Sequence, residues 1–289
     1  ISHGSGRYDS SFFLKISGNY NELFYSKDGS IPGKRADKYE FPIEVKATTS
    51  IRFRPAIDGI LLDTVINRFF LIGFQKQLPV ICIAADPLDF WSDENGIYAR
   101  GNNYFLDSTG HLKNCNYHKD WEKKVHIMYM DSNRVVVDQD CGIKIFGEST
   151  RSNPDKSMKI IARSKYGKKT FKHKFFQTKE TNKHKHLVIR SSGNDYRGSR
   201  FKDVLSAYLI RNYTIDYMAF QPVHLFVNAK YWGLYNLREK INEHYLRYNY
   251  GLHPDSVSII MGKWVRQQGS SKDYMKMFNW FNRLNKMDS

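Results

Sequence analysis

The chain has 289 residues, of which 41% are hydrophobic and 15% aromatic, and its formal net charge at pH 7 is +16. This length and apolar content suffice for one large or two modest packed domains, and they exclude global disorder. No apolar run approaches the roughly 18 residues that a membrane-spanning helix needs, so we expect a soluble chain without a membrane span.

The chain begins at Ile1 without a recognisable signal segment, so we expect a mature or trimmed fragment. Its three cysteines, Cys82, Cys115 and Cys141, are too few and too widely spaced for a disulfide framework or a zinc finger. We predict that they are buried free thiols, which leaves the cellular compartment open.

Residues 1–75 are predicted to form a small β-sandwich. Apolar side chains alternate at Phe12, Leu14 and Ile16, and the sequence KDGS at 27–30 is typical of a turn. Two further pairs of alternating apolar residues, at 43 and 45 and at 51 and 53, continue the pattern of strands with one buried face.

Residues 76–289 are predicted to form an α+β domain. The patterns favour a buried strand at 78–83, an antiparallel meander at 125–130, 134–137 and 142–146, and a short strand at 187–190. Helical spacing follows at 201–213, then a hairpin at 223–227 and 231–237, and helices near 239–250 and 274–284.

A basic segment occupies residues 144–186. It contains thirteen Lys or Arg and three Asp or Glu, a net charge of +10 out of the +16 of the chain. Its first part has the groups that bind phosphate: Ser149 and Thr150 offer hydroxyl and amide donors, Arg151 a planar fork of donors, and Lys156 a compact charge. Gly147 permits close approach of the backbone to a ligand.

Two interpretations of the basic segment compete. The lysines between 165 and 185 equally fit a solvated basic hairpin, and neither a P-loop sequence nor GxGxxG is present. His173, His184 and His186 have the chemistry of transition-metal ligands, although exposed histidines in a basic loop are more often solvated. We therefore predict no metal site here.

The N-terminal residues resemble a known type of domain. The sequence FYSKDGSIP at 24–32, followed by TTSIRFR at 48–54, is similar to fibronectin-III-associated or chitobiase C-terminal domains. Such domains are appended to secreted bacterial proteins, so the resemblance implies an exported chain.

From residue 78 onward the chain resembles the bacterial spore-coat-H (CotH) kinase-like family of atypical protein kinases. The resemblance is carried in the family's order by LPVI at 78–81, GIKIFG at 142–147, IRSSGND at 189–195 and VNAKYWGLYNLREKI at 227–241. It implies a kinase-related fold, binding of ATP with Mg or Mn, phosphorylation of a surface or coat protein, and an extracellular or cell-surface location.

Carried over by position, the resemblance implies that Ser149, Thr150, Arg151 and Lys156 hold ATP phosphates and that Glu239 borders the adenine. An alternative for Glu239 is a carboxylate at a helix N-terminus. The family's catalytic and metal-binding carboxylates match nothing before Ser289, so we expect them downstream and an inactive fragment. Asp155 replaces a lysine of the family pattern, which weakens the local positive field.

Two other functions fit parts of the sequence. A non-catalytic cell-surface module would use the predicted sandwich and aromatic residues, Trp91 and Tyr98 among them, to bind a glycan or a protein. A nucleic-acid binder would use the clustered lysines and the interleaved Phe171, Phe175 and Phe176, but no known nucleic-acid fold motif accompanies them.

Overall fold

The computed structural model describes residues 1–262 and 265–287. Its first eight strands form two sheets around one core. The strands are β1 (Gly6–Tyr8), β2 (Phe12–Leu14), β3 (Glu22–Ser26), β4 (Asp37–Lys38), β5 (Ile43–Val45), β6 (Thr49–Ile57), β7 (Ile60–Leu61) and β8 (Ile66–Ile72).

The larger N-terminal sheet has the order β1-β8-β6-β3-β4, with β7 paired to β6, and β2 pairs separately with β5. Leu14 and Val45 from the small sheet meet Ile51, Phe53 and Phe70 from the large one, and all five are buried. The assignment of residues 1–75 to a separate sandwich domain stays a prediction.

The chain continues with β9 (Val80–Ala85), α1 (Pro87–Trp91), β10 (Phe105–Leu106), β11 (Leu112–Lys113), β12 (Lys123–Asp131), β13 (Arg134–Phe146), β14 (Ser157–Ile161), β15 (Phe171–Lys172), β16 (Lys183–His184), β17 (His186–Arg190), α2 (Lys202–Ile210), β18 (Phe220–Val227) and β19 (Lys230–Glu239). After these come α3 (Glu243–Tyr250), β20 (Ile259–Met261), β21 (Val265–Gln268) and α4 (Lys272–Met287).

Seven of these strands close into a barrel with the order β12-β13-β14-β17-β19-β18-β9. The pairing of β18 with β9 is parallel, and the other pairings are antiparallel. Because side chains alternate between the two faces of a strand, every second residue fills the interior. Ile81, Ile127, Ile143, Ile160 and Leu225 are examples, each at most 2% exposed.

The predicted meander is present, as are the hairpin and the strand before α2. Mixed α+β structure, with many strands and few helices, agrees with the predicted class. The helix predicted from residue 239 begins instead at Glu243, because Glu239 still pairs with Leu187 in the barrel and the side chain of Asn242 caps α3 by accepting from the amide of Tyr245.

The N-terminal sheet lies against the outside of the barrel. Phe69 and Leu71 of β8 pack on Cys82, Met128 and Phe226, which point outward from three neighbouring barrel strands. Cys82, Cys115 and Cys141 are buried free thiols, as predicted. Among the described residues, no helix is both long enough and apolar enough to cross a membrane.

Candidate functional site

A cavity of about 290 Å³ lies on the outer face of the barrel, away from the N-terminal sheet. Its walls are mostly apolar and come from β13, β17, β19 and the hairpin of β20 and β21. The lining includes Phe146, Val188, Met218, Ile241, Ile259, Ile260 and Met261. Strand alternation explains the position of Val188, since Leu187 and Ile189 on either side point into the barrel.

Cationic side chains edge the cavity. Arg190, Arg238 and Lys240 line it directly. Two more cations lie beside them in the sheet, because four residues on four neighbouring strands pair side by side: Lys144, Lys159, Val188 and Arg238. The added cations are Lys144 and Lys159. The apolar cavity on the outer face of the barrel therefore lies beside a cluster of cationic side chains.

Lys159 lies at the centre of this charge. Its pKa is lowered, first by burial and then by the neighbouring ammonium groups of Lys144 and Lys240. Lys144 forms an ion pair of 2.5 Å with Asp120, and Lys240 lies 5.7 Å from the centroid of the Phe146 ring. Within the described residues, the side chain of Lys159 has neither a hydrogen bond nor an ion pair. A bound anion would relieve the repulsion among these lysines.

Asp203, in the first turn of α2, fixes two arginines of the cavity. Its Oδ2 accepts a hydrogen bond of 2.7 Å from Nη1 of Arg238 and also pairs with the guanidinium of Arg190. Arg238 Nη2 donates to the Met218 carbonyl at 2.9 Å. Because these contacts orient both guanidinium groups before any ligand arrives, little side-chain entropy is left to lose on binding.

The predicted phosphate ligands lie in a loop that begins directly after Phe146. Ser149, Thr150 and Arg151 form a single helical turn, Ser149–Ser152. The Arg151 guanidinium donates to the carbonyl of Gly147 at 2.5 Å and to that of His118 at 3.0 Å. Arg151 therefore braces the loop against its neighbours, and its contact with phosphate stays a prediction.

Lys156 is 5% exposed and is tied to the same loop. Its Nζ donates to the carbonyls of Arg151 at 2.8 Å and Asn153 at 2.9 Å, and it lies 4.0 Å from the centroid of the Tyr117 ring. Burial lowers its pKa to about 8. None of Ser149, Thr150, Arg151 and Lys156 is in the lining of the cavity.

This loop touches a second loop that follows Arg190. The Asn153 side chain donates to the Gly193 carbonyl at 3.0 Å, and a Cβ on Gly193 would lie 2.7 Å from Cβ of Thr150. The lack of a side chain at Gly193 is therefore what lets the loops meet. Asp155, which departs from the family pattern, forms an ion pair of 2.8 Å with Arg200 of the second loop.

Glu239 does line the cavity, but its carboxylate is engaged elsewhere. Oε2 accepts from the amide of Ala219 at 3.0 Å and Oε1 from the Asn249 side chain at 3.1 Å. Burial raises its pKa, against the lowering effect of those hydrogen bonds. The alternative of a carboxylate at a helix N-terminus is wrong, because Glu239 ends β19.

Of the three histidines of the basic segment, His184 is buried, contrary to the expectation that they are solvated, and His173 and His186 are partly buried. His184 is 5% exposed and packs edge-on against Phe175 and Phe176, with both ring centroids at 5.5 Å. Burial lowers its pKa to about 4. No group of three or more His, Cys, Asp or Glu side chains in residues 1–262 and 265–287 is arranged to hold a metal ion.

Four residues at or near the cavity were not predicted from the sequence as site residues: Lys159, Arg190, Asp203 and Lys240. Alternation within the predicted strand at 187–190 was the available signal for Arg190, since its neighbour Ile189 faces inward; Lys159 lies in β14, which was not predicted as a strand, although Met158 and Ile160 on either side of it face inward. Asp203 and Lys240 are near the cavity only through tertiary contacts, which no local pattern encodes.

The structure and one comparison with known proteins bear on the class of this protein. The fold and site define an α+β protein with an apolar cavity beside clustered cations, an arrangement suited to a phosphorylated ligand that also carries an apolar group. The family model described as CotH kinase protein matches residues 143–286, just under half of the chain. This similarity supports a CotH-like assignment for that region. No curated protein matches the chain.

Proposed function

We propose that this chain binds ATP on the outer face of its barrel. It would thereby form the nucleotide-binding part of an atypical protein kinase that phosphorylates a surface, coat or secreted protein. The observation that carries the proposal is the apolar cavity lined by Lys240, Arg190 and Arg238, with Lys159 on the neighbouring strand opposite Val188 of its wall. The similarity of residues 143–286 to CotH kinase proteins supports phosphoryl transfer as the reaction class.

The dimensions of the cavity fit the base of a nucleotide. Small-molecule sites usually measure about 300–1,000 Å³, so a cavity of about 290 Å³ is at the small end and holds a planar group rather than a whole triphosphate. Val188 and Ile241 would contact the faces of the adenine. The phosphates would then extend over the neighbouring lysines.

Protein groups serve phosphoryl transfer chiefly through positioning and charge, which this site offers. Lys159 and Lys240 would attract the phosphate oxygens, while Asp203 keeps Arg190 and Arg238 in place. We also propose that ATP binds together with Mg or Mn, and that the protein is located outside the cell or at its surface. Because no metal-binding set is assembled among the described residues, we assign no metal ligand.

The first prediction concerns Lys159→Met, which removes the charge and keeps the aliphatic stem. A charge-assisted contact is worth about 1.5–3 kcal/mol, so ATP should bind roughly ten to a hundred times more weakly. Isothermal calorimetry on both proteins measures the change. Lys34→Met, on an exposed residue of the N-terminal part, is the matched control and should bind ATP as the parent does.

If Lys159→Met binds ATP as tightly as the parent protein does, Lys159 does not contact the nucleotide. Competition with inorganic triphosphate separates the cavity from general attraction to the basic surface. If triphosphate displaces ATP at equal concentration, the apolar walls contribute nothing and the proposal is wrong.

A further inference from the structure

The edge of β13 carries a second feature, independent of the nucleotide cavity. β13 pairs with β12 along its first part, but β14 pairs only with residues 142–146. Within the described chain, residues 134–141 therefore have a strand neighbour on one side only. At about 3.3 Å per residue, this leaves roughly 25 Å of unpaired strand edge.

A groove of about 380 Å³ runs along this edge. Val136, Val137 and Gln139 of β13 form one wall, and Lys168, Lys169, Thr170 and Lys172 form the other. Gln139 is 6% exposed, and its amide nitrogen has no hydrogen-bond partner among the described residues. The groove thus contains main-chain groups, an unsatisfied donor and three lysines.

The charge of the groove is unbalanced. Lys168 donates to the main-chain carbonyl of Asp138 at 3.3 Å, and neither Lys169 nor Lys172 has a carboxylate partner in the described residues. The Asp138 carboxylate, which borders the edge, is hydrogen-bonded to His126 Nε2 at 2.5 Å. No acidic side chain lines the groove.

We propose that this groove binds an extended acidic peptide segment of a partner protein, which adds as a strand to the free edge of β13. An unpaired edge is a template for main-chain pairing, and the lysines opposite select carboxylates on the incoming strand. An amide of the peptide would take over the Asp138 carbonyl as its acceptor, and this would release Lys168 to pair with a carboxylate.

Strand addition requires main-chain hydrogen-bond donors on the ligand, whereas simple charge attraction requires only its negative charge, so suitable probes separate the two. A labelled decapeptide of alternating Glu and Thr has the charge and the strand-forming residues. The same peptide with every second amide N-methylated keeps all its charge but loses the donors of one strand edge. A ten-nucleotide oligothymidine is a polyanion that cannot pair with a strand.

Fluorescence anisotropy at 0.15 M salt measures binding of each probe to the whole chain. We expect the acidic decapeptide to bind, and the N-methylated form to bind at least about tenfold more weakly, since it forfeits several main-chain hydrogen bonds. The double variant K169E/K172E should weaken binding of the decapeptide by a similar factor. K27E/K34E makes the same charge change on exposed lysines of the N-terminal part and should leave binding unchanged.

Three results would overturn the proposal. The first is no binding of the decapeptide at millimolar concentration. The second is equal affinity for the N-methylated peptide, which would show attraction by charge alone. The third is oligothymidine binding that is as tight as the decapeptide and equally sensitive to K169E/K172E, which would make this a surface for nucleic acid.

Discussion

Two lysines three positions apart illustrate what decides function at the scale of a residue. Lys156 matches the family motif, but the structure gives its Nζ two carbonyl acceptors and an aromatic ring. The ammonium group of Lys159 has no hydrogen bond or ion pair among the described residues and lies beside other cations. Alternation in β14 directs Lys159 outward, whereas the direction of Lys156 depends on loop contacts that a sequence does not reveal.

His126 is a second residue whose surroundings set its chemistry. Nε2 contacts Oδ1 of Asp138 at 2.5 Å and Nδ1 contacts Oδ1 of Asp140 at 2.8 Å. Burial alone would lower the pKa of His126, but its hydrogen bonds with the two carboxylates outweigh burial and raise it. Phe69 of the N-terminal sheet stacks on the imidazole, with ring centroids 6.2 Å apart.

This arrangement predicts a pH dependence of stability. A histidine whose pKa is raised on folding stabilises the fold fully below its unfolded pKa of about 6.5, and the contribution is lost as pH rises through the folded pKa. The thermal midpoint should therefore fall between pH 6 and pH 9 in the parent protein. The variant His126→Gln, which cannot titrate, should show a smaller fall over the same range.

At acidic pH the two carboxylates act in the opposite sense. Burial alone would raise the pKa values of Asp138 and Asp140, but their hydrogen bonds with His126 prevail and lower both. Their contribution is therefore lost as pH falls below their ordinary range near 3.8.

The outcome that would contradict the prediction for His126 lies in the higher pH range. If the thermal midpoints of the parent and of His126→Gln fall in parallel between pH 6 and pH 9, His126 is not the group whose titration lowers the stability.

At the scale of elements, the turn between β18 and β19 joins three parts of the molecule. The Asn228 side chain accepts from the amide of Ala85 and donates to the carbonyls of Ala85 and Asp28, each at 2.8 Å. Asn228 is 9% exposed and has a φ of 46°, in the left-handed region that asparagine tolerates. It links the end of β9 and the turn after β3 to the barrel hairpin.

We expect Asn228→Ala to lower the free energy of unfolding by about 1–3 kcal/mol from the unsatisfied groups, in addition to the cost of alanine at positive φ. Asn133→Ala is the matched control, because Asn133 also has a positive φ, 65°, in the exposed turn between β12 and β13. Urea denaturation gives the free energy of unfolding of both variants, and the difference between their losses is the contribution of the Asn228 hydrogen bonds. Equal losses would mean that the Asn228 side chain contributes no net stability.

The elements themselves were largely predictable, and their assembly was not. Alternation located the strands of the meander, and helical spacing located α2 and α4, because these patterns are local. Closure of the barrel depends on the parallel pairing of Leu225 with Ile81, which are far apart in sequence. The cavity forms only after this assembly, so its lining could not be derived from the motifs that indicated a phosphate ligand.

For the whole molecule, the distribution of charge separates two surfaces. The cavity lies beside cations from β14, β17 and β19, while the groove along β13 is lined by lysines of β15 and of the loop before it. Both belong to the basic segment or its strand neighbours, which explains why composition alone indicated an anion without locating it. The family similarity, over residues 143–286, includes most residues of both surfaces.

Photolabelling locates a bound nucleotide directly on the chain. The chain is irradiated with 8-azido-ATP, with and without excess ATP, and labelled peptides are identified by mass spectrometry. We predict ATP-protected labelling in the peptides that contain Ile241 and residues 259–261, which line the cavity. Protected labelling confined to other parts of the barrel, or none at all, would contradict the placement of the nucleotide in this cavity.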